Sequence, residues 1–320
     1  MSRSASLQGA AALVTGASGF VGRYLCSALS SEGVRVTGIA RKPWHDDGAT
    51  RVALADVTDR AALRTVFEEA RPDFVFHLAA AKQRSVEISD YRQTIEQNVL
   101  GALNVAEACI AAKVTRAVYV GTCEEYGASP APFSETAREA PISAYSASKA
   151  SATHLVQSLH RTHGLPVIVL RPTLAYGPSQ DDDMLVPRLI RSLLDGRRFP
   201  MTAGAQTRDL IYVEDVVDAA VKGAVAPAVE GKVFNIASGQ PISIRELASL
   251  IATIVGPACH SLLGFGELPY RKGEAMKYWS NADQAAAALH WRPRMLLREG
   301  LERTVAAMRS RPSFQARQGA

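Results

Sequence analysis

Tyr145 and Lys149 stand four residues apart in a stretch, Ser143 to His163, whose pattern predicts a helix, so both side chains share one face. A free phenol, with a pKa of about 10, is a poor base at neutral pH. A cation about 4 Å away, at an effective dielectric of ~20, contributes roughly 4 kcal/mol, or about three pK units. That pairing brings a tyrosine to the range in which an acid–base catalyst works best. Thr122 follows the apolar run Ala117–Gly121, which reads as a strand, and its hydroxyl could hold the oxygen that Tyr145 protonates. Tyr-x-x-x-Lys alone is a common spacing, and a lone threonine at a strand end usually caps a turn.

A second constellation changes that weighting. Ala11–Val14 is apolar and leads through Thr15 into Gly16-Ala17-Ser18-Gly19-Phe20-Val21-Gly22, with glycines spaced G-x-x-G-x-x-G before a helical pattern. Gly16 permits a tight turn, Gly19 lets the backbone approach a pyrophosphate, and Gly22 lets the helix pack closely on the strand. Free N–H groups at the helix start, around Ser18, Phe20 and Val21, would bind the diphosphate of a dinucleotide. An NAD site places an acid about 20 residues on, against the ribose hydroxyl. No acid lies between Glu32 and Asp46; Arg41 and Lys42 stand there instead. A guanidinium pairs with a 2′-phosphate, so NADP(H) is favoured over NAD(H), the alternative being two solvated surface cations.

These groups need a scaffold that brings distant strand ends together. Strands are predicted at Ala11–Val14, Val34–Ile39, Arg51–Ala55, Phe74–Leu78, Ala117–Gly121, Val167–Leu170 and Val233–Ile236. Helices intervene at Val21–Leu29, Arg60–Ala70, about Thr94–Ala112 and Ser143–His163. Such alternation implies an α/β fold, a doubly wound Rossmann-type parallel sheet, with a smaller, mostly helical C-terminal part for the substrate. The expected division is residues 8–175 plus 209–240 for the dinucleotide and 176–208 plus 241–310 for the substrate, with a flexible tail at 311–320. Beyond Ser243 the chain reads as mostly helical, interrupted at Gly264–Gly273, and it frays from Arg309 onward.

At 320 residues, 47% hydrophobic and 21% charged, the chain can bury a large core and is not a disordered one. Cys26, Cys109, Cys123 and Cys259 are widely separated with no C-x-x-C pair, which indicates neither a disulfide framework nor a structural zinc site and points to a reducing, cytoplasmic setting. No apolar run reaches the length of a membrane span, and no secretory leader is evident. The net charge of +5 is dispersed, so it suits an anionic small molecule rather than nucleic acid. His154, His160 and His163 share a predicted helix without a metal-binding pattern, and no metal is expected.

The order of motifs resembles the extended short-chain dehydrogenase/reductase family, the nucleotide-sugar epimerases, dehydratases and reductases. The resemblance spans about Leu13 to Thr304 and includes Thr15–Gly22, Ala55-Asp56-Val57, His77-Leu78-Ala79-Ala80, Asn98-Val99-Leu100-Gly101, Thr122–Gly127, Tyr145–Lys149, Arg171–Pro178 and Thr207-Arg208-Asp209. It implies that Tyr145 is the acid/base, Lys149 its activator and ribose ligand, and Thr122 the hydroxyl on the substrate oxygen. Asp56 and Val57 would flank the adenine, Leu78, Ala79, Ala80 and Lys82 the ribose and pyrophosphate, and Pro172 and Thr173 the carboxamide. Arg208 and Arg271 resemble the arginines that grip a nucleoside-diphosphate sugar. Glu124 stands where dehydratases carry an acid/base, although a glutamate there occurs elsewhere in the family. Where dehydratases often place a further acid the chain has Cys123, and Leu174 replaces the asparagine that touches the substrate diphosphate. The expected reaction is NADPH-dependent reduction of a 4-keto hexose on a nucleoside diphosphate. The alternatives are a 4-epimerase or 4,6-dehydratase with retained cofactor, and a non-catalytic NADP-binding regulator. Family members commonly dimerise through two long helices, here near Thr94–Ala112 and Ser143–His163.

Overall fold

In the computed structural model, residues 7–44, 50–82, 87–270 and 274–310 are described. Seven apolar strands form one parallel sheet: β1 (Ala11–Thr15), β2 (Arg35–Ala40), β3 (Thr50–Leu54), β4 (Phe74–His77), β5 (Arg116–Val120), β6 (Val167–Pro172) and β7 (Val233–Ile236). Their order is β7-β6-β5-β4-β1-β2-β3, so the winding reverses between β1 and β4. A crevice opens at the carboxyl ends there, where doubly wound sheets bind ligands.

Alternation along the strands feeds two cores. Ala12, Val14, Phe74, Phe76, Val118 and Ile168 pack against Leu25 and Leu29 of α1 (Phe20–Ser31). On the same face lie Val216 and Ala220 of α7 (Val213–Val225). Leu13, Val75, Tyr119, Val167 and Val169 face the other way. They meet Leu63 and Phe67 of α2 (Arg60–Ala70), Val105 of α4 (Gly101–Ala112), and Ala152 and Val156 of α5 (Ala144–His163). A third core gathers Leu189 and Ile190 of α6 (Leu185–Leu194), Leu247 and Ile251 of α8 (Ile244–Val255), and Leu301 and Val305 of α10 (Leu297–Arg309).

The departures from expectation have local causes. The helix expected from Thr94 starts earlier, as α3 (Ile88–Thr94), and passes through a π-helical stretch at Ile95–Leu100 before α4. After Pro172 the chain forms short strand pairs: Leu174–Tyr176 with Leu210–Tyr212, Phe199–Met201 with Leu263–Phe265, and Thr207–Arg208 with Ile242–Ser243. Each joins segments far apart in sequence and leaves no local periodicity to read. The region beyond Ser243 is less helical than expected, because Gly256 and Pro257 end α8 and, among the described residues, only the helices α9 (Asp283–Ala288) and α10 follow the strand at Leu263–Phe265. Arg309 closes α10 rather than opening the tail, and its guanidinium bonds the Val255 carbonyl. Residues 311–320 and Arg271 lie outside the described residues.

Candidate active site

The turn after β1 leaves no room for side chains. Gly16 adopts φ +70°, and a Cβ there would lie 2.8 Å from the Ala79 nitrogen. At Gly22 a Cβ would stand 2.2 Å from the Gly16 carbonyl oxygen, so α1 can approach β1 only as glycine. Gly19 caps α1 without a side chain, leaving the first-turn N–H groups facing the crevice edge. A cavity of about 180 Å³ is lined by Gly16, Ser18, Gly19, Arg41, Asp56, Val57, Leu78, Ala79, Ala80 and Lys82, joined by Gln97. Phe20 and Val21 begin α1 beside it, while Pro172 and Thr173 lie further along the edge, at the end of β6. Partial burial raises the Asp56 pKa, but N–H and O–H bonds from Thr58 and the charge of Arg41 outweigh it and hold the carboxyl below its usual range. Lys82 pairs with Asp181 at 3.3 Å on the surface.

Asn98 ties this cradle to α5. Its Oδ1 accepts from the Ala81 N–H at 2.7 Å, and its Nδ2 donates to the Ser148 hydroxyl at 2.8 Å. Asn98 falls within the π-helical stretch, a local irregularity often found at functional sites.

Tyr145 sits in the first turn of α5, which Ser143 caps, and is buried. Lys149, one turn on, is also buried; its ammonium donates to the Val120 carbonyl at 2.6 Å and lies 4.3 Å from the Tyr119 ring centre. Burial, opposed by the charge of Glu125, lowers the Lys149 pKa to about 8. His77, at the end of β4, is driven down to about 3 by burial and by Lys149. The Thr15 hydroxyl accepts from the Ala79 N–H at 3.2 Å and is hydrogen-bonded to Nδ1 of His77 at 2.7 Å. Thr122 caps the short helix Cys123–Tyr126, packed against α5. Its hydroxyl oxygen accepts from the Glu124 N–H at 3.2 Å, leaving its own proton to donate.

The residues after Thr122 have separate fates. Cys123 is buried among Tyr126, Phe133 and Tyr278, and burial pushes its thiol far above its usual range. Glu124 is half-buried. Glu125 is fully buried, with no sequence signal to distinguish it from its neighbour. Arg171 donates to it from Nε at 2.8 Å, and to Glu139 at 2.7 Å. His154 meets Glu139 at 3.5 Å, which accounts for one of the three helix histidines.

A larger cavity of about 390 Å³ opens between the short strands, α6 and α8. Leu174, Met184, Phe199, Met201 and Leu268 make it apolar, while Gln180, Arg188, Gln206, Arg208 and Glu274 add polar groups. Arg208 is held in it by the carbonyls of Thr207 and Ala275, both at 2.8 Å, and by the Glu274 carboxylate. Such an enclosed cation suits a diphosphate.

The chain matches the profile of the NAD dependent epimerase/dehydratase family over residues 12–237. It belongs to that family. It is 32% identical to dTDP-glucose 4,6-dehydratase of Neisseria meningitidis, over 92% of this chain and 91% of that protein. It is likewise 32% identical to UDP-glucose 4-epimerase of Mycolicibacterium smegmatis, over 93% and 98% respectively. The crystal structure of UDP-glucose 4-epimerase from Thermotoga maritima with UDP-glucose superposes with a TM-score of 0.86 at 27% identity, covering 93% of this chain and 98% of that one. The chain is an enzyme of the extended short-chain dehydrogenase/reductase type. No described helix is long and apolar enough to cross a membrane.

Proposed function

We propose that this enzyme inverts the C4 configuration of a nucleoside-diphosphate hexose and returns the hydride to the sugar it came from. The observation that carries the choice is Cys123. Removing water from a 4-keto sugar needs a base for the C5 proton and an acid for the departing hydroxyl, both besides Tyr145. Here the position after Thr122 holds a thiol buried in an apolar cage with its pKa pushed far up, which is a poor proton donor. Glu124 would then bind a sugar hydroxyl instead of serving an elimination. Relatives that are epimerases and dehydratases support a recycled cofactor over the net reduction expected from the sequence.

Tyr145 takes the proton from the C4 hydroxyl while the Thr122 hydroxyl holds the same oxygen. Lys149, protonated, favours the phenolate and orients the ribose. The nicotinamide, when bound, supplies the hydride acceptor and donor at C4. Tyr145 then returns the proton to the opposite configuration, and Arg208 anchors the diphosphate while the sugar turns. The third core and its 390 Å³ cavity would form the substrate domain. Gly16, Gly19 and Gly22 would cradle the pyrophosphate, and Arg41, exposed on the cavity rim, supports NADP(H) over NAD(H). Exposed Ile88, Ile95 and Leu100 support a homodimer through α3, α4 and α5, and the buried thiols Cys26, Cys109 and Cys123 suit the cytoplasm.

Arg41 also favours a second reading, reduction of a 4-keto sugar by NADPH, the usual reductant of biosynthesis. Candidate nucleotide sugars and their 4-keto forms, incubated with NADPH and followed by absorbance and mass, separate the two. Product of unchanged mass with no NADPH loss is expected; one NADPH consumed per sugar would establish reduction.

A further inference from the structure

A polar pocket of about 350 Å³ opens beside the aromatic cage of Cys123, and no step of the proposed reaction uses it. It is nearly as large as the 390 Å³ cavity and, among the described residues, shares no lining residue with it or with the cradle at the β1 turn. Three segments distant in sequence build its walls. Residues 237–239 follow β7 and are pinned by Asp209, which accepts from the Ser238 N–H at 3.1 Å, the Ser238 hydroxyl at 2.5 Å and the Gly239 N–H at 3.1 Å. Residues 279–283 run against Phe133, whose N–H donates to the Trp279 carbonyl and whose carbonyl accepts from the Asn281 N–H, both at 2.9 Å. Residues 291–293 are held by Asp215: the Trp291 indole donates to its carbonyl at 3.0 Å, and the Arg294 N–H to its carboxylate at 2.9 Å.

The walls are therefore rigid, and several polar groups along them remain open. Ser280 is 1% exposed, and its hydroxyl has no hydrogen-bond partner among the described residues. A buried hydroxyl without a partner is unfavourable, and a ligand group would satisfy it. Arg292 is exposed and has no carboxylate or carbonyl partner among the described residues. Asp283 gives one oxygen to the Asn281 amide at 2.8 Å and keeps the other. A guanidinium and a carboxylate in one pocket balance each other, which selects against a phosphate or an ammonium. Together with an amide and a hydroxyl they offer donors and acceptors side by side, the pattern that neighbouring hydroxyls on a ring match. The half-buried Trp279, with Pro132, gives an apolar surface for the C–H face of such a ring.

We propose that this pocket is a second carbohydrate site, which takes a neutral pyranoside and is separate from the site of the nucleotide sugar. Methyl glucopyranoside, galactopyranoside and mannopyranoside are titrated into the full chain by ligand-observed NMR and by tryptophan emission. At least one is expected to saturate and to shift the emission, since Trp279 lines the pocket. Arg292→Ala should weaken that binding by about tenfold, and Asp283→Ala by a similar factor, the loss of one hydrogen bond to a charged group. Asp283 begins α9, so should its variant not fold, Arg292→Ala alone decides. Trp279→Leu should weaken binding too and remove the emission change. Arg208→Ala, in the other cavity, should leave it unchanged, and neither UDP nor dTDP should displace the glycoside. A glucose phosphate should bind no more tightly than methyl glucopyranoside. The proposal is overturned if none of the three glycosides saturates, or if Arg292→Ala and Trp279→Leu both leave binding intact. Displacement by either nucleotide would put the sugar in the 390 Å³ cavity, and a preference for the phosphate would make the pocket an anion site; each result overturns it as well.

Discussion

The two cavities are built by different means. The one at the β1 turn is made by backbone: Gly16, Gly19 and Gly22 act through what they lack, and the N–H groups of α1 need no side chain to be there. The 390 Å³ cavity is made by side chains from short strands and loops, with Arg208 held by partners more than sixty residues away. A backbone cradle serves one ligand shape and tolerates little change. A side-chain cavity can be retuned residue by residue. The chemistry of Tyr145 and Thr122 lies at the carboxyl edge from which both parts arise, so variants on either side should separate binding of cofactor, binding of sugar, and turnover.

The sharpest separation is expected from Tyr145→Phe. It should lower turnover by ~10²–10⁴-fold, the usual contribution of a positioned acid–base group. NADPH affinity should stay within a factor of about two by fluorescence titration, since the phenol hydroxyl is not needed to form the cradle. A similar loss in both quantities would mean that Tyr145 acts by shaping the cofactor site.

Arg208→Ala comes next and tests the side-chain cavity. Loss of a charge-assisted contact to the diphosphate should weaken nucleotide-sugar binding by ~10–100-fold, measured by calorimetry, with NADPH affinity unchanged. Equal weakening of both ligands would merge the two cavities into one site.

Arg41→Ala tests the cradle's rim. NADPH affinity should fall by about tenfold, one charge-assisted bond, while NADH affinity changes little. An equal fall for both would make Arg41 a surface cation without a role in choosing the cofactor.

The legibility of the sequence follows the same division. The glycine turn, the Tyr145–Lys149 face and the parallel sheet depend on spacings within one strand or helix, and all could be read from the chain. Glu125 was not legible: its partner Arg171 lies 46 residues away, and nothing local distinguishes it from Glu124. The short strand pairs after Pro172 and the Arg208–Glu274 contact are non-local in the same way. Cys123 was visible as a departure, but its burial among Tyr126, Phe133 and Tyr278 depends on Tyr278 arriving from a distant segment.

The last separation concerns stability beneath the cradle. His77 is held neutral with a pKa of about 3, below the usual 6.5. Between those values the unfolded chain binds a proton that the folded one does not, so stability falls as pH drops through the window. The slope from this residue is about 1.4 kcal/mol per pH unit. Urea unfolding from pH 6.5 down to the acid limit of folding should show that slope, and His77→Gln should flatten it. An unchanged slope would place the acid sensitivity elsewhere.

In the proposed reaction, hydride leaves C4 and returns to C4. A nucleotide hexose carrying deuterium at C4, turned over with a catalytic amount of oxidised cofactor and examined by mass spectrometry and NMR, tests this directly. The prediction is a 4-epimer of unchanged mass with deuterium still at C4. Deuterium at C6 in a product lighter by one water would contradict it, and would return Glu124 to the role of the eliminating base.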